Sequence, residues 1–106
     1  MVKFNYKPLP SHLSIKQSNI EGMGLFTDIA IESGTVIGIS HVKIPYLYEI
    51  IRTPIGGFVN HSDRPNCVLV EKVNLNDDYK LFELVALTDI EPGEELTTKY
   101  SLEQDD

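Results

Sequence analysis

The chain has no tryptophan, a single cysteine, few basic residues and no long apolar run. A lone Cys67 excludes an intramolecular disulfide and a cysteine-based zinc cluster. His12, His41 and His61 are scattered without ligand spacing, so no metal is expected. The longest apolar runs are a few residues, far short of what crosses a bilayer. Met1-Val2-Lys3-Phe4-Asn5-Tyr6 lacks the apolar core of a signal peptide, and the expectation is an intracellular protein, cytoplasmic or nuclear, with no membrane partner. Nine Lys and Arg against 16 Asp and Glu give a net charge of −7. That balance argues against direct binding of nucleic acid, because phosphate contacts need a basic surface. It keeps a protein soluble, and it also draws in cations.

What is present is ordinary globular composition, 42% apolar and 24% charged over 106 residues, enough for one core. A single domain over 1–106 is expected, with an N-terminal arm at 1–10 and a short polar tail at 101–106. Alternation with period two predicts a strand over His12–Gln17. Ser18-Asn19-Ile20-Glu21-Gly22 is a turn, and Gly24-Leu25-Phe26-Thr27 opens the next strand. Glu32-Ser33-Gly34 turns into a strand rich in β-branched residues at Thr35–Val42. Pro45–Arg52 is the expected helix, about two turns, with Tyr46, Leu47, Ile50 and Ile51 on its apolar side. Thr53-Pro54-Ile55-Gly56-Gly57 is expected to end it. Cys67–Val73 and Tyr79–Leu87 form a hairpin through Asn74-Leu75-Asn76-Asp77-Asp78. The near-continuous apolar run Leu84-Val85-Ala86-Leu87 suits a central strand. Glu91-Pro92-Gly93 is a turn before a last strand at Leu96–Tyr100. This pattern predicts a mainly β domain with one short helix.

Three polar stretches interrupt it. Phe58-Val59-Asn60-His61-Ser62-Asp63-Arg64-Pro65-Asn66-Cys67 sets an amide, an imidazole and a hydroxyl side by side, with Phe58 and Val59 as anchors in the core. Alone, it reads most simply as a polar turn capping a strand. Gly22-Met23-Gly24-Leu25-Phe26 lies upstream; its glycines permit close backbone approach, with Gly22 setting the turn. No third glycine, lysine or helix start follows at the spacing a phosphate loop needs. Gly93-Glu94-Glu95-Leu96-Thr97-Thr98-Lys99-Tyr100 lies near the end.

Taken in order, Gly-x-Gly-Leu-Phe, Asn-His-Ser-x-x-Pro-Asn-Cys and Gly-Glu-Glu-Leu-Thr-x-x-Tyr resemble the SET-domain lysine methyltransferases, over about Leu13 to Tyr100. The resemblance implies a β-clip of small curved sheets, with a C-terminal segment threaded beneath the Asn-His-Ser loop as a pseudoknot. It also implies S-adenosylmethionine as cofactor. Met23 and Gly24 would hold its methionine part, and Asn60 and His61 its amino group and adenine. His61 is assigned to binding and packing rather than proton transfer. Asn66 would brace the loop, and Cys67 is a small buried apolar residue. Tyr100 matches the family's catalytic tyrosine, whose phenolic oxygen orients a neutral amine for in-line attack on a methyl group. Alignment rather than a strong base would supply most of the acceleration. Tyr46 and Tyr48 are candidates for the wall of the substrate channel, although helical spacing cannot put both on one face.

The chain departs from the family in three places. Thr98 stands where many members have Phe or Tyr, no aromatic residue occurs around Ser40-His41, and only six residues follow Tyr100. The resemblance to minimal viral members implies a viral or microbial source and a homodimer. The leading expectation is methyl transfer to a lysine side chain of a histone or another basic protein. Small free polyamines such as spermidine are the alternative substrates, and a non-catalytic binding module on the same fold is the third reading.

Overall fold

In the computed structural model, the structure describes residues 9–44, 49–73 and 80–99. Among these residues, eight strands and one short helix follow in the order β1 (Leu13–Gln17), β2 (Met23–Thr27), β3 (Val36–Ile44), β4 (Glu49–Arg52), α1 (Pro54–Phe58), β5 (Asn60–His61), β6 (Cys67–Val73), β7 (Lys80–Ala86) and β8 (Glu95–Thr98). Their hydrogen-bonded order is β1-β2-β8-β6-β7-β3-β4, with β5 pairing β8 off this path. The mainly β architecture therefore stands as expected, and β7 is flanked by β6 and β3.

β1 and β2 are an antiparallel hairpin around a turn whose Gly22 sits at φ 48, a left-handed conformation that a side chain rarely adopts. β6 and β7 pair antiparallel without a break from Cys67↔Ala86 to Val73↔Lys80. The joining loop Asn74–Asp78 lies outside the described residues, as do residues 1–8 of the expected arm and the tail at 101–106. β8 runs antiparallel to β2 but parallel to β5 and β6, so the last motif is wedged between elements distant in sequence. The expected threading of the C-terminal segment beneath the Asn-His-Ser loop falls on residues after Lys99, which lie outside the described residues. Leu13, Leu25, Ile31, Leu84, Ile90 and Leu96, all at most 5% exposed, form the middle of the core.

The helix is displaced from its expected place. Glu49–Arg52 is a strand paired antiparallel with β3 from Ile44↔Glu49 to His41↔Arg52, and 45–48 lie outside the described residues. Two adjacent isoleucines favour the pleat, and pairing with a long neighbour decides the matter. The helix instead occupies Pro54–Phe58, in the stretch read as its terminator. Thr53 caps it, its hydroxyl accepting from Gly56 N at 3.4 Å, and proline takes the first turn, where its missing N–H costs nothing. Of the two expected anchors, Val59 is buried at 3% exposure. Phe58 ends the helix at 36% and does not enter the core.

The glycine pair Gly56-Gly57 misleads on propensity but is explained by packing. A Cβ on Gly56 would strike the Ser40 carbonyl oxygen and approach His41 Cε1 to 2.9 Å. The helix thus lies directly on β3, and His41 beneath it is 1% exposed. Ser40 Oγ donates its one proton to Phe82 O at 3.1 Å, so the 2.8 Å contact with His41 Nδ1 assigns the proton of that bond to the imidazole. Burial, then the Arg52 charge, holds the His41 pKa below its ordinary value, and the ring is a neutral structural group. Gly57, by contrast, has nothing within 4 Å of an added Cβ. Gly57→Ala is therefore expected to stabilise by about 0.5–1 kcal/mol through helix propensity. Gly56→Ala is expected to destabilise by about 1–3 kcal/mol despite the same propensity gain. Urea unfolding of the two variants side by side checks the opposite signs.

Candidate functional site

The three polar stretches meet around one carboxylate. Glu95 opens β8, and its carboxylate accepts from Ser18 Oγ at 2.9 Å to either oxygen and from Asn60 Nδ2 at 2.8 Å. Asn60 Nδ2 also reaches Ser18 Oγ at 3.1 Å and the Glu21 carbonyl at 3.2 Å. All of these neighbours accept, which fixes the amide with its nitrogen towards Glu95 and its Oδ1 turned away. Ser18 in turn organises the loop above. Its Oγ accepts from Ile20 N at 2.8 Å and Glu21 N at 3.3 Å, and its own N–H donates to Gly22 O at 2.7 Å. The partners are 35 to 77 residues apart in sequence, so only the fold brings them together.

Gly24 lies in β2 against this cluster. A Cβ there would overlap Glu95 Oε2 and come within 3.0 Å of Ser18 Cβ. The missing side chain thus makes room for the carboxylate, a closer use of the glycine than the sequence alone indicated. Met23, next to it, is 48% exposed. His61 follows Asn60 on β5, its side chain 48% exposed and its Nε2 3.4 Å from Asp63 Oδ1. Tyr100, Tyr46 and Tyr48 lie outside the described residues. The structure therefore brings Gly24 and Asn60 to one cluster, with Met23 and His61 as their chain neighbours.

Asn66 braces the loop in a specific way. Its Nδ2 donates to the Glu95 carbonyl at 2.9 Å, and its Oδ1 accepts from Thr97 N at 2.8 Å. A side-chain amide thereby takes the place of a strand neighbour beside β8. Ser62 N donates to Thr98 O at 3.0 Å, which extends the parallel pairing. Among the described residues, buried Thr98 Oγ1 is the polar side-chain atom left with no hydrogen-bond partner, at 1% exposure for the residue. An unmatched buried hydroxyl costs about 1–3 kcal/mol unless something supplies a partner.

The SET-domain family model matches residues 48–101, which include both the Asn60-His61-Ser62 segment and the Glu95–Tyr100 segment. The chain belongs to the SET-domain family. Members of this family are generally S-adenosylmethionine-dependent methyltransferases. The Gly22-Met23-Gly24 stretch lies upstream of the match, and it is the fold that adds it to the SET cluster. No curated protein sequence matches the chain. Among solved structures, it is similar to a Plasmodium falciparum protein described as a candidate histone methyltransferase. The TM-score is 0.69 with 21% identity, covering 87% of this chain and 95% of that one. At that identity the likeness speaks for the SET fold.

Two residues of this SET domain escaped the sequence reading. Ser18 was read as one member of a turn, and Glu95 as a motif letter without a role; neither carries a local signal of its partner. Cys67 has the expected character. It is 1% exposed, and burial pushes its thiol pKa up to about 12, against a smaller lowering by the Thr97 backbone. It is no nucleophile at neutral pH. Native protein is expected to leave Cys67 unmodified by a disulfide reagent at pH 8, with full reaction in denaturant. The unfolded thiol releases its proton at its ordinary value and the folded one only near 12, so the Cys67 contribution to stability falls as pH rises through that window. Rapid labelling of the native thiol at pH 8 would contradict the burial.

Proposed function

We propose that this chain is an S-adenosylmethionine-dependent N-methyltransferase that modifies a lysine side-chain amine of a histone or another basic protein. The observation that carries the reading is the meeting of Ser18, Gly24, Asn60 and Glu95 at one point, with the Asn60 carboxamide locked and its oxygen turned outward. That set fits the amino-acid end of a cationic cofactor: an amide oxygen accepts from an ammonium group, and an acidic neighbour favours its charge. Asn60 Oδ1 would accept from the ammonium, and the exposed Met23 and the His61 backbone would flank the remainder. Glu95 acts through Asn60 as a positioning residue, because rotation of the amide would set Oδ1 against a carboxylate and a carbonyl. When bound, the cofactor supplies a methyl group activated by a neighbouring sulfonium.

Tyr100 is assigned the reacting end. A lysine amine with an ordinary pKa of ~10.4 must lose its proton before it attacks, and a nearby positive charge with exclusion of water favours that loss. The phenolic oxygen then orients the amine lone pair. The Thr98 hydroxyl, two residues earlier and unmatched, is the polar group whose partner a substrate nitrogen or a bound water would supply. The net charge of −7 favours encounter with basic protein tails. The description of the Plasmodium protein supports the histone class.

Methyl transfer from labelled S-adenosylmethionine to core histones is expected for the wild type and should fall roughly 100-fold or more in Tyr100→Phe. Spermidine serves as the parallel acceptor. Label on spermidine alone would replace the protein substrate by a polyamine, and equal rates for wild type and Tyr100→Phe would remove Tyr100 from the mechanism. Cofactor binding by calorimetry tests the Asn60–Glu95 lock. Asn60→Asp opposes two carboxylates and should weaken binding at least about tenfold. Adding Glu95→Gln restores a donor–acceptor pair and should recover most of the loss. An unchanged affinity in Asn60→Asp, or no recovery in the double variant, would argue against the lock.

A further inference from the structure

His41 is a buried titratable group that the amide cluster does not use. Its ring lies where several elements meet. β3 carries it, Phe82 of β7 stands edge-on with the centroids 6.3 Å apart, and Gly56 of α1 covers Cε1. With Nδ1–H given to Ser40 Oγ, a second proton must go on Nε2, which is bonded to that same Cε1. An imidazolium at 1% exposure is cut off from bulk water, and a charge so placed is costly. The charged groups on the elements packed around the ring are mostly cations among the described residues. Arg52 stands directly opposite on β4, and Lys43 lies two residues along β3. Lys80 of β7 pairs in register with Lys43, while Glu71 of β6, beyond Phe82, is engaged by Lys80 at 3.2 Å. Glu83 and Lys72 alternate to the other side of the sheet, and α1 carries no charged residue.

Water reaches the ring when one of its covers opens. β3, β4 and β7 are joined by ladders of backbone hydrogen bonds. α1 is a five-residue helix pinned to β3 at its start, where Thr53 N donates to Ser40 O at 3.0 Å and Thr53 Oγ1 to Ile39 O at 2.7 Å. Its other end runs through Val59 straight into Asn60. The helix is therefore the cover that opens most easily, and it opens from the end that leads to the amide cluster.

From this arrangement we infer that His41 is an acid-sensitive seat: its protonation lifts the C-terminal end of α1 and loosens the Asn60 amide from Glu95. Burial and Arg52 make the closed seat a weaker base than an open one, in which the imidazole has its ordinary pKa of about 6.5. Below that pH the open form binds the proton better, so the closed form loses up to about tenfold against it for each further unit. His41 is thus a positioning residue that acts on the site through the helix. A fall in cofactor affinity follows only on the cofactor reading of Asn60, whereas the opening itself does not depend on it.

Amide exchange of the full chain, followed by nuclear magnetic resonance from about pH 7.5 to about pH 5 and corrected for intrinsic rates, tests it. Protection is expected to fall at least about tenfold at Gly57 N, Val59 N and the Asn60 side-chain NH₂, while Ile90 N in the sheet keeps its own. His41→Asn retains an amide donor for Ser40 but cannot titrate in this range, and its protection should not change with pH. Arg52→Gln removes the opposing cation at an exposed position and should shrink the acid loss at least about twofold, a readout that stands even if His41→Asn fails to fold. Calorimetry with S-adenosylmethionine should show a matching acid loss of affinity in the wild type and none in His41→Asn. Protection that stays flat in the wild type overturns the inference. So does an equal acid loss in His41→Asn, which would assign the effect to another group such as His12, His61 or Glu95. Opening with an affinity that stays constant overturns the link to the site. Opening without cofactor binding at either pH supports the seat and removes the cofactor reading instead.

Discussion

The structure depends on how β8 is held. Four residues, Glu95 to Thr98, border β2 on one side and β5 and β6 on the other, and three of them are at most 8% exposed. Such a short central strand buries polar backbone that must be matched. Regular pairing matches only part of it. The Asn66 side chain supplies the rest, accepting from Thr97 N and donating to the Glu95 carbonyl as a neighbouring peptide would. Because Asn66 and Asn60 belong to one decapeptide, the bond that completes the sheet also fixes the strand pair that carries the candidate site.

A division of labour among small residues follows. Gly22 supplies a left-handed turn, whereas Gly24 and Gly56 are small because something else occupies the space. For Gly24 that neighbour is the Glu95 carboxylate, and for Gly56 it is the backbone of β3. Close approach on one side of the molecule seats the amide cluster, and on the other it seats the helix over a neutral His41. Both are close-packed arrangements in which an added Cβ has no room.

How much of this was legible in the sequence depended on range. Cys67–Val73 could be read to the residue, since its period and flanking turns are local. The helix was misplaced because Glu49–Arg52 is amphipathic in either period and only its pairing with β3 settles it. A Gly-Gly segment, meanwhile, looks like a breaker until the backbone beneath it is seen. Phe58 and Val59 looked equivalent, and the end of a helix separates them. Asn60 and Gly24 were visible as members of ordered motifs. Their link through Glu95 and Ser18 was not, because a hydrogen bond between residues 77 apart leaves no periodic trace. The run Leu84–Leu87 marked β7 as central, and β7 lies between β6 and β3.

The central claim is that the locked Asn60 amide presents its oxygen to a cationic cofactor beside Gly24. The most direct measurement is a titration of the isotope-labelled chain with S-adenosylmethionine, followed by nuclear magnetic resonance of backbone and side-chain amides. The account predicts saturable shifts at the Met23, Gly24 and His61 backbone amides and at the Asn60 side-chain NH₂. Those NH₂ protons should stay protected from exchange by Glu95 throughout. Shifts confined to other parts of the sheet, or an Asn60 side chain that exchanges freely and does not respond, would contradict it.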